Sequence, residues 1–309
     1  MRRRGHPTKS KSFRLKVDAE RWSAKIEGEQ DRGTWRDASE AERMTLFAAL
    51  DRYERERTAK KRGAGREASV LRMLRDEPIA RLALARIGGH QVAVMRDEWL
   101  DAGYAAATVT RRLAVLSHLY AVAGREWNMR GLDNPVRAVE KPAIDNARDR
   151  RVSQDEIEAI CAATGSTELA AFIRLAVETA MRRGELCALQ WEHVEIKART
   201  AHVPHTKNGH ARTVPLSTRA VDVLRALPRR LDGRVFGLRP DSVTQAFERA
   251  TVRAGIEDVR LHDMRHEAIS RLADKLQVHE LAKVTGHRDT KMVLRYYHPR
   301  AEDLAKKIG

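Results

Sequence analysis

Along most of this chain apolar residues recur every three or four positions, the spacing that gathers them on one face of a helix. Residues 17–30 carry Ala19, Trp22 and Ile26 in that register, and 31–37, with its glycine, reads as a turn. Leu46, Leu50 and Tyr53 mark one face of a helix predicted over 39–61, and further helices are expected over 65–76, 90–101 and 106–127. In the last of these Leu113, Leu116, Leu119 and Tyr120 form an apolar stripe while Arg111, Arg112 and His118 face elsewhere, the pattern of a core-facing helix. Asn134 and Pro135 end this helical region, and the charged, aperiodic stretch 141–151 reads as a linker.

Beyond the linker, Ser153 followed three residues later by Glu156 is a capping-box signature that opens a helix running to Ala163. A second helix over 168–179 leads into Met181-Arg-Arg-Gly-Glu-Leu186. Two short strands, 201–204 and 212–215, flank a loop containing Asn208-Gly209, which predicts a β-hairpin. Helices are expected over 218–227, 242–254, 262–275, 279–284 and 290–297. The predicted fold class is therefore mainly α with a small antiparallel β-sheet. Its organisation is read as a basic N-terminal arm (1–37), a helical domain (38–140), a linker (141–151) and a second domain (152–309).

A chain of 309 residues with 42% apolar content can build two cores. Lys and Arg number 59 against 43 for Asp and Glu, a net charge of +16 that favours a polyanionic partner such as DNA or RNA, although a solvated basic surface would show the same excess. Residues 1–14 are basic, but no apolar run of signal-peptide length follows, and no 18-residue apolar stretch occurs, so a soluble, intracellular protein without membrane contact is expected. Cys161 and Cys187 form no CxxC pair and stand near no His cluster, which argues against a zinc or disulfide framework. His262 and His266 lie four apart in His-Asp-Met-Arg-His, without the glutamate of a zincin helix, so no metal is expected there.

Five polar clusters remain: Thr179-Ala-Met-Arg-Arg-Gly-Glu185, Thr206-Lys-Asn-Gly209, His262-Asp-Met-Arg265, Gly286-His287 and Arg295-Tyr-Tyr-His298. Each alone is unremarkable as surface or packing. Taken in order, they resemble the tyrosine recombinase or phage integrase family. That family has an arginine after a Thr-Gly-hydrophobic run, a lysine in a β-hairpin, a His-x-x-Arg helix, a Gly-His pair, and a tyrosine followed after one residue by His. The resemblance spans 150–300 and, more loosely, the helices of 39–140, where 108–134 looks like the family's core-binding domain. It carries Arg182, Lys207, His262, Arg265, His287 and Tyr296 over as site residues. Tyr296 is chosen over Tyr297 because one residue separates it from His298. Two departures stand out: Ala180 replaces a common Gly and so demands a less permissive φ, and Thr285 replaces a common Leu.

The chemistry needs these residue types. Attack on a phosphodiester builds negative charge on its non-bridging oxygens, and paired guanidinium forks match that geometry as Lys does not, the work expected of Arg182 and Arg265. A phenol, with a reference pKa of about 10, is a weak nucleophile until it loses its proton, and His262 is the expected acceptor. The resemblance implies Lys207 as acid for the departing 5′ oxygen, a hydrogen bond from His287 to the phosphate, and a 3′-phosphotyrosyl intermediate that conserves bond energy without ATP. Glu185 is read as a buried partner for one of the arginines.

No cofactor or metal is called for. The implied partners are double-stranded DNA recombination sites, handled through a Holliday junction by a homotetramer in the cytoplasm at the nucleoid. The tail 301–309 would pack on a neighbouring protomer, and the scheme leaves room for a DNA-bending accessory protein. Residues 1–37 would be an arm contacting DNA. A type IB topoisomerase and a non-cleaving DNA-binding protein of the same fold are the alternatives.

Overall fold

The computed structural model describes residues 10–32, 39–61, 63–129, 131–145, 150–204 and 211–297. Lys207, His298, the loop around Asn208-Gly209, residues 1–9 and the tail 301–309 lie outside the described residues. The chain divides into two units, Met1–Asn146 and Ala147–Gly309.

The first unit contains helices α1 (Lys16–Asp31), α2 (Ser39–Arg43), α3 (Leu46–Glu56), α4 (Ala64–Asp76), α5 (Gly89–Asp101) and α6 (Ala106–Glu126). The single helix expected over 39–61 is broken. At Thr45 the backbone turns extended, and the Thr45 side chain caps α3 by accepting from the Ala48 N–H at 3.2 Å. Leu46 N–H and Met44 C=O bond the backbone of Leu82 and Leu84 instead of continuing a helix. The apolar stripe of α6 (Val109, Leu113, Leu116, Leu119, Tyr120) is buried against Leu46, Leu50, Tyr53, Leu71, Leu74 and Met95, the burial its periodicity predicts. The buried Tyr53 hydroxyl meets His118 Nδ1 at 2.6 Å and accepts from Lys61 Nζ at 2.9 Å, which satisfies the polar end of an otherwise apolar ring.

The second unit is built around one apolar helix. Here α7 (Gln154–Ala163), α10 (Thr218–Arg225) and α12 (Leu261–Ala273) pack on α8 (Thr167–Thr179), in which Leu169 to Val177 includes Phe172, Ile173 and Leu175 with no measurable exposure. Phe172 meets Phe236 edge-on at 5.2 Å. The Ser153–Glu156 capping box forms at the start of α7, with Glu156 N–H donating to Ser153 Oγ at 3.1 Å and Ser153 N–H donating to Glu156 at 2.9 Å.

Short α9 (Arg183–Cys187) follows α8, and then a three-stranded antiparallel sheet, β1 (Val194–Glu195), β2 (Thr200–Val203) and β3 (Arg212–Pro215). The hairpin strands fall within one residue of expectation; β1, only two residues long, is too short to leave a pattern. The alternation has a consequence for β3: Val214 and Arg212 share the inward face, so a guanidinium is driven inside, with Arg212 paired across the ladder to Val203. Helices α11 (Pro240–Arg253), α13 (Val278–Thr285) and α14 (Lys291–Leu294) complete the unit.

The helix expected over 290–297 ends early. Tyr296 and Tyr297 N–H groups bond Val293 and Leu294 three residues back, the tight turning with which helices commonly close. Tyr296 then packs on a small separate cluster formed by Ala180, Ala268, Ile269, Leu281 and Val293.

Candidate active site

Two helix ends define the site. The last carbonyls of a helix have no partner within it and carry the negative end of its dipole, so they attract cations. At the end of α13, three successive carbonyls each take a different arginine: Val284 O accepts from Arg212 Nε at 2.8 Å, Thr285 O from Arg265 Nη2 at 2.7 Å, and Gly286 O from Arg182 Nη2 at 3.1 Å. At the end of α8, Ala180 O accepts from Arg265 Nη1. Gly286 has a φ of +70°, and a Cβ there would stand 3.2 Å from Arg212 Cδ, so both the turn and the packing ask for glycine. Ala180 has a φ of +52° without glycine's freedom, a left-handed position that costs about 1–2 kcal/mol and is held by the packing around it.

Glu185 binds the cluster together. Its carboxylate accepts from Arg182 N–H (2.8 Å) and Arg182 Nη1 (2.9 Å), and from Arg212 Nη1 and Nη2 at 2.9 and 2.7 Å. Burial opposes its ionisation, yet the hydrogen bonds from Arg212 and Arg182 prevail and hold it at about 2. The expectation of one arginine partner was half the arrangement: Glu185 serves two. Arg265 is 4% exposed, and burial, followed by the nearby charge of Arg182, pushes its guanidinium down to about 9.

Arg182, His262 and Arg265 line one cavity of about 510 Å³, with Arg183 and Arg260 also in its wall. His262 and Arg265 reach it together because three residues along α12 return to the same side. Burial and then Arg265 lower the His262 pKa. His287 follows α13, and its Nδ1 lies 2.7 Å from Thr285 Oγ1. Thr285 donates its single hydroxyl hydrogen to Leu281 O at 2.6 Å, so His287 must donate from Nδ1–H and present Nε2 as a lone pair. Burial, then Arg265 and Arg182, depress His287 to about 4.

The imidazole that hydrogen-bonds the Tyr296 hydroxyl is that of His266, through Nδ1. Its ring stands edge-on to His262 at 4.8 Å, and burial followed by the neighbouring His262 and Arg295 lowers its pKa to about 4. Five of the six expected residues thus form a continuous chain of contacts, and Lys207 lies outside the described residues. Three contributors escaped the sequence reading. Arg212 was signalled only by a charge on an inward strand position, His266 only by its place four residues after His262, and Thr285 only as a departure from Leu. Among the described residues, no group of three His, Cys, Asp or Glu side chains is arranged to hold a metal ion.

Comparison with known proteins points one way. Residues 150–303 match the Phage integrase family. The chain is 38% identical over 277 residues to the shufflon-specific DNA recombinase of Escherichia coli, covering 86% of this chain and 72% of that protein. Its fold is similar to that of the Tn1549 transposon integrase in complex with transposon right end DNA (TM-score 0.72, 16% identity, 86% of this chain and 98% of the other). It is similar also to a lambda integrase dimer bound to a COC′ core site (TM-score 0.70, 24% identity, 84% and 97%).

Two outcomes are expected. His266 and His287, each at about 4 in the folded chain, and Glu185 at about 2, all bind protons more weakly folded than unfolded, so acid favours the unfolded chain. Stability should fall as pH drops from about 6.5 toward 4 through the histidines, and further below about 4.5 through Glu185. Thermal unfolding across pH 7 to 4 checks this, with a shallower decline in His287→Gln; a flat profile contradicts it. Second, ¹⁵N NMR should find the proton of neutral His287 on Nδ1, and Thr285→Val should move it toward Nε2 at a cost of about 1–2 kcal/mol in stability. A wild-type Nε2–H tautomer would contradict the hydroxyl's role.

Proposed function

The chain belongs to the phage integrase family and is a tyrosine site-specific DNA recombinase, and we propose that its chemistry is the attack of Tyr296 on a DNA phosphate clamped by Arg182 and Arg265. The convergence of Arg182, His262 and Arg265 on one cavity, with Tyr296 joined to the same helix through His266, carries this reading. Guanidinium groups already anchored to backbone carbonyls need little rearrangement when charge develops on the phosphate, and such preorganised donors contribute most where water is excluded. His262 stands beside both arginines in the cavity wall and is assigned to the phosphate; His287, with Nδ1–H on Thr285, is assigned there as well, donating from Nε2 once the arriving anion favours its protonation.

Attack by Tyr296 Oη forms the phosphotyrosyl bond and breaks the bond to the 5′ oxygen, which takes its proton from Lys207. The product, a 3′-phosphotyrosine beside a free 5′ hydroxyl, keeps the energy needed for rejoining to a second strand through a Holliday junction. Pairing two duplex sites calls for a homotetramer on DNA, in the cytoplasm and at the nucleoid, with or without a DNA-bending accessory protein. The first unit's helices, 38–140, are assigned to binding the core site, residues 1–37 to an arm on flanking DNA, 141–151 to the linker and 152–309 to catalysis. The net charge of +16 supports a phosphate-dominated interface. The 38% identity to a shufflon-specific DNA recombinase supports recombination at specific DNA sites.

The test is covalent capture. Duplexes selected by the chain from a randomised pool, then nicked beside the cleavage position, should give a denaturant-stable protein–DNA adduct with wild type and Tyr297→Phe and none with Tyr296→Phe. An adduct from Tyr296→Phe, or none from wild type, overturns the assignment.

A further inference from the structure

The proton of the nucleophile has a destination that the family motif does not name. Tyr296 Oη is hydrogen-bonded to Nδ1 of His266, and the two rings lie 5.7 Å apart at 30°. His266 is the last residue of His-Asp-Met-Arg-His, one helical turn beyond His262 on α12. The same helix therefore sends His262 and Arg265 into the phosphate cavity and His266 to the phenol. Resting on the recombinase reading, we infer that His266 is a catalytic residue, the general base that takes the Tyr296 proton during cleavage and returns it during rejoining.

The step balances without a further reactant. Tyr296 Oη–H gives its proton to Nδ1 while its electron pair forms the bond to phosphorus; the bond from phosphorus to the 5′ oxygen breaks, and that oxygen is protonated by the acid. Nδ1 begins as a lone pair, so neutral His266 carries its hydrogen on Nε2. In rejoining, imidazolium His266 protonates the departing phenolate. The groups facing His266 are His262, Asp263 and Arg265 on its own helix, Arg295 beside the tyrosine, and His287 after α13. Burial first, and then the neighbouring His262, Arg295 and Arg265 against the opposing Asp263, hold its pKa at about 4, which leaves it neutral and receptive at ordinary pH. An arriving phosphate, opposite in sign to the arginines, raises its basicity when the proton must move. Division of labour follows: His262 is freed for the phosphate, and the two imidazoles, edge-on at 4.8 Å, do not compete for one proton.

The experiment is single-turnover cleavage of the selected nicked duplexes by wild type, His266→Gln and His262→Gln across pH 4 to 8.5. Glutamine can accept the tyrosine's hydrogen bond but cannot take its proton, so it separates a base from a mere anchor. Wild type should show an acid limb in the rate. His266→Gln should lose that limb and slow by about 10²–10⁴-fold with DNA affinity unchanged, whereas His262→Gln should slow but keep the limb. A limb retained in His266→Gln, or lost in His262→Gln alone, overturns the inference. Absence of any wild-type adduct overturns the recombinase reading itself and this inference with it. A check independent of variant folding is the ¹⁵N spectrum of wild-type His266: hydrogen on Nε2 at neutral pH is expected, and an Nδ1–H tautomer refutes the proposal.

Discussion

Three consecutive backbone carbonyls at the end of one eight-residue helix, Val284, Thr285 and Gly286, each hold a different guanidinium. Everything else in the site follows from that arrangement. Arginines brought this close repel one another, and burying them strips their water; carbonyls aligned with a helix dipole replace part of that hydration without spending a negative charge. A carboxylate at every arginine would neutralise the cavity. The chain uses one, Glu185, shared between Arg182 and Arg212, and leaves Arg265 on carbonyls alone among the contacts described. The result is a net positive concavity whose guanidiniums are already held by hydrogen bonds before any anion arrives, the condition under which electrostatic stabilisation of a transition state is largest.

The arrangement also explains local oddities. Ala180 accepts left-handed backbone because its carbonyl is needed by Arg265, and its methyl packs in the cluster that seats Tyr296. Thr285, buried to zero exposure, spends its carbonyl on Arg265 and its hydroxyl on both Leu281 and His287, so a position where leucine would merely fill space sets a tautomer. Gly286 gives the chain its turn and leaves room for Arg212. Fold and site are in this sense one structure: α8 and α13 end where the arginines need acceptors.

Much of this could be read from the sequence, and the failures have physical causes. Long helices with a clean stripe, such as α6, and a capped one, α7, fall within a residue or two of expectation because period and capping chemistry act locally. The break at Thr45 was hidden because no glycine or proline marks it anywhere in 39–61, while the backbone bonds to Leu82 and Leu84 that cause it are non-local. The ordered motifs pointed to Arg182, His262, Arg265, His287 and Tyr296, since charge and spacing are written in the sequence. Arg212 and His266 were missed because their importance lies in what they touch: a strand register turns one inward, and the packing of the segment after α14 brings the phenol to the other. Lys207 remains an assignment by motif.

The central claim is that helix-end carbonyls hold Arg182 and Arg265 in the geometry a pentacoordinate phosphorus requires. It is tested most directly by a crystal structure of the chain on its selected duplex with orthovanadate linking Tyr296 to the cleaved DNA ends. The account predicts vanadium oxygens within hydrogen-bond distance of both guanidiniums, with Arg265 still on Thr285 O and Arg182 still on Gly286 O. Vanadate bound elsewhere, or arginines that must leave those carbonyls to reach it, would contradict it.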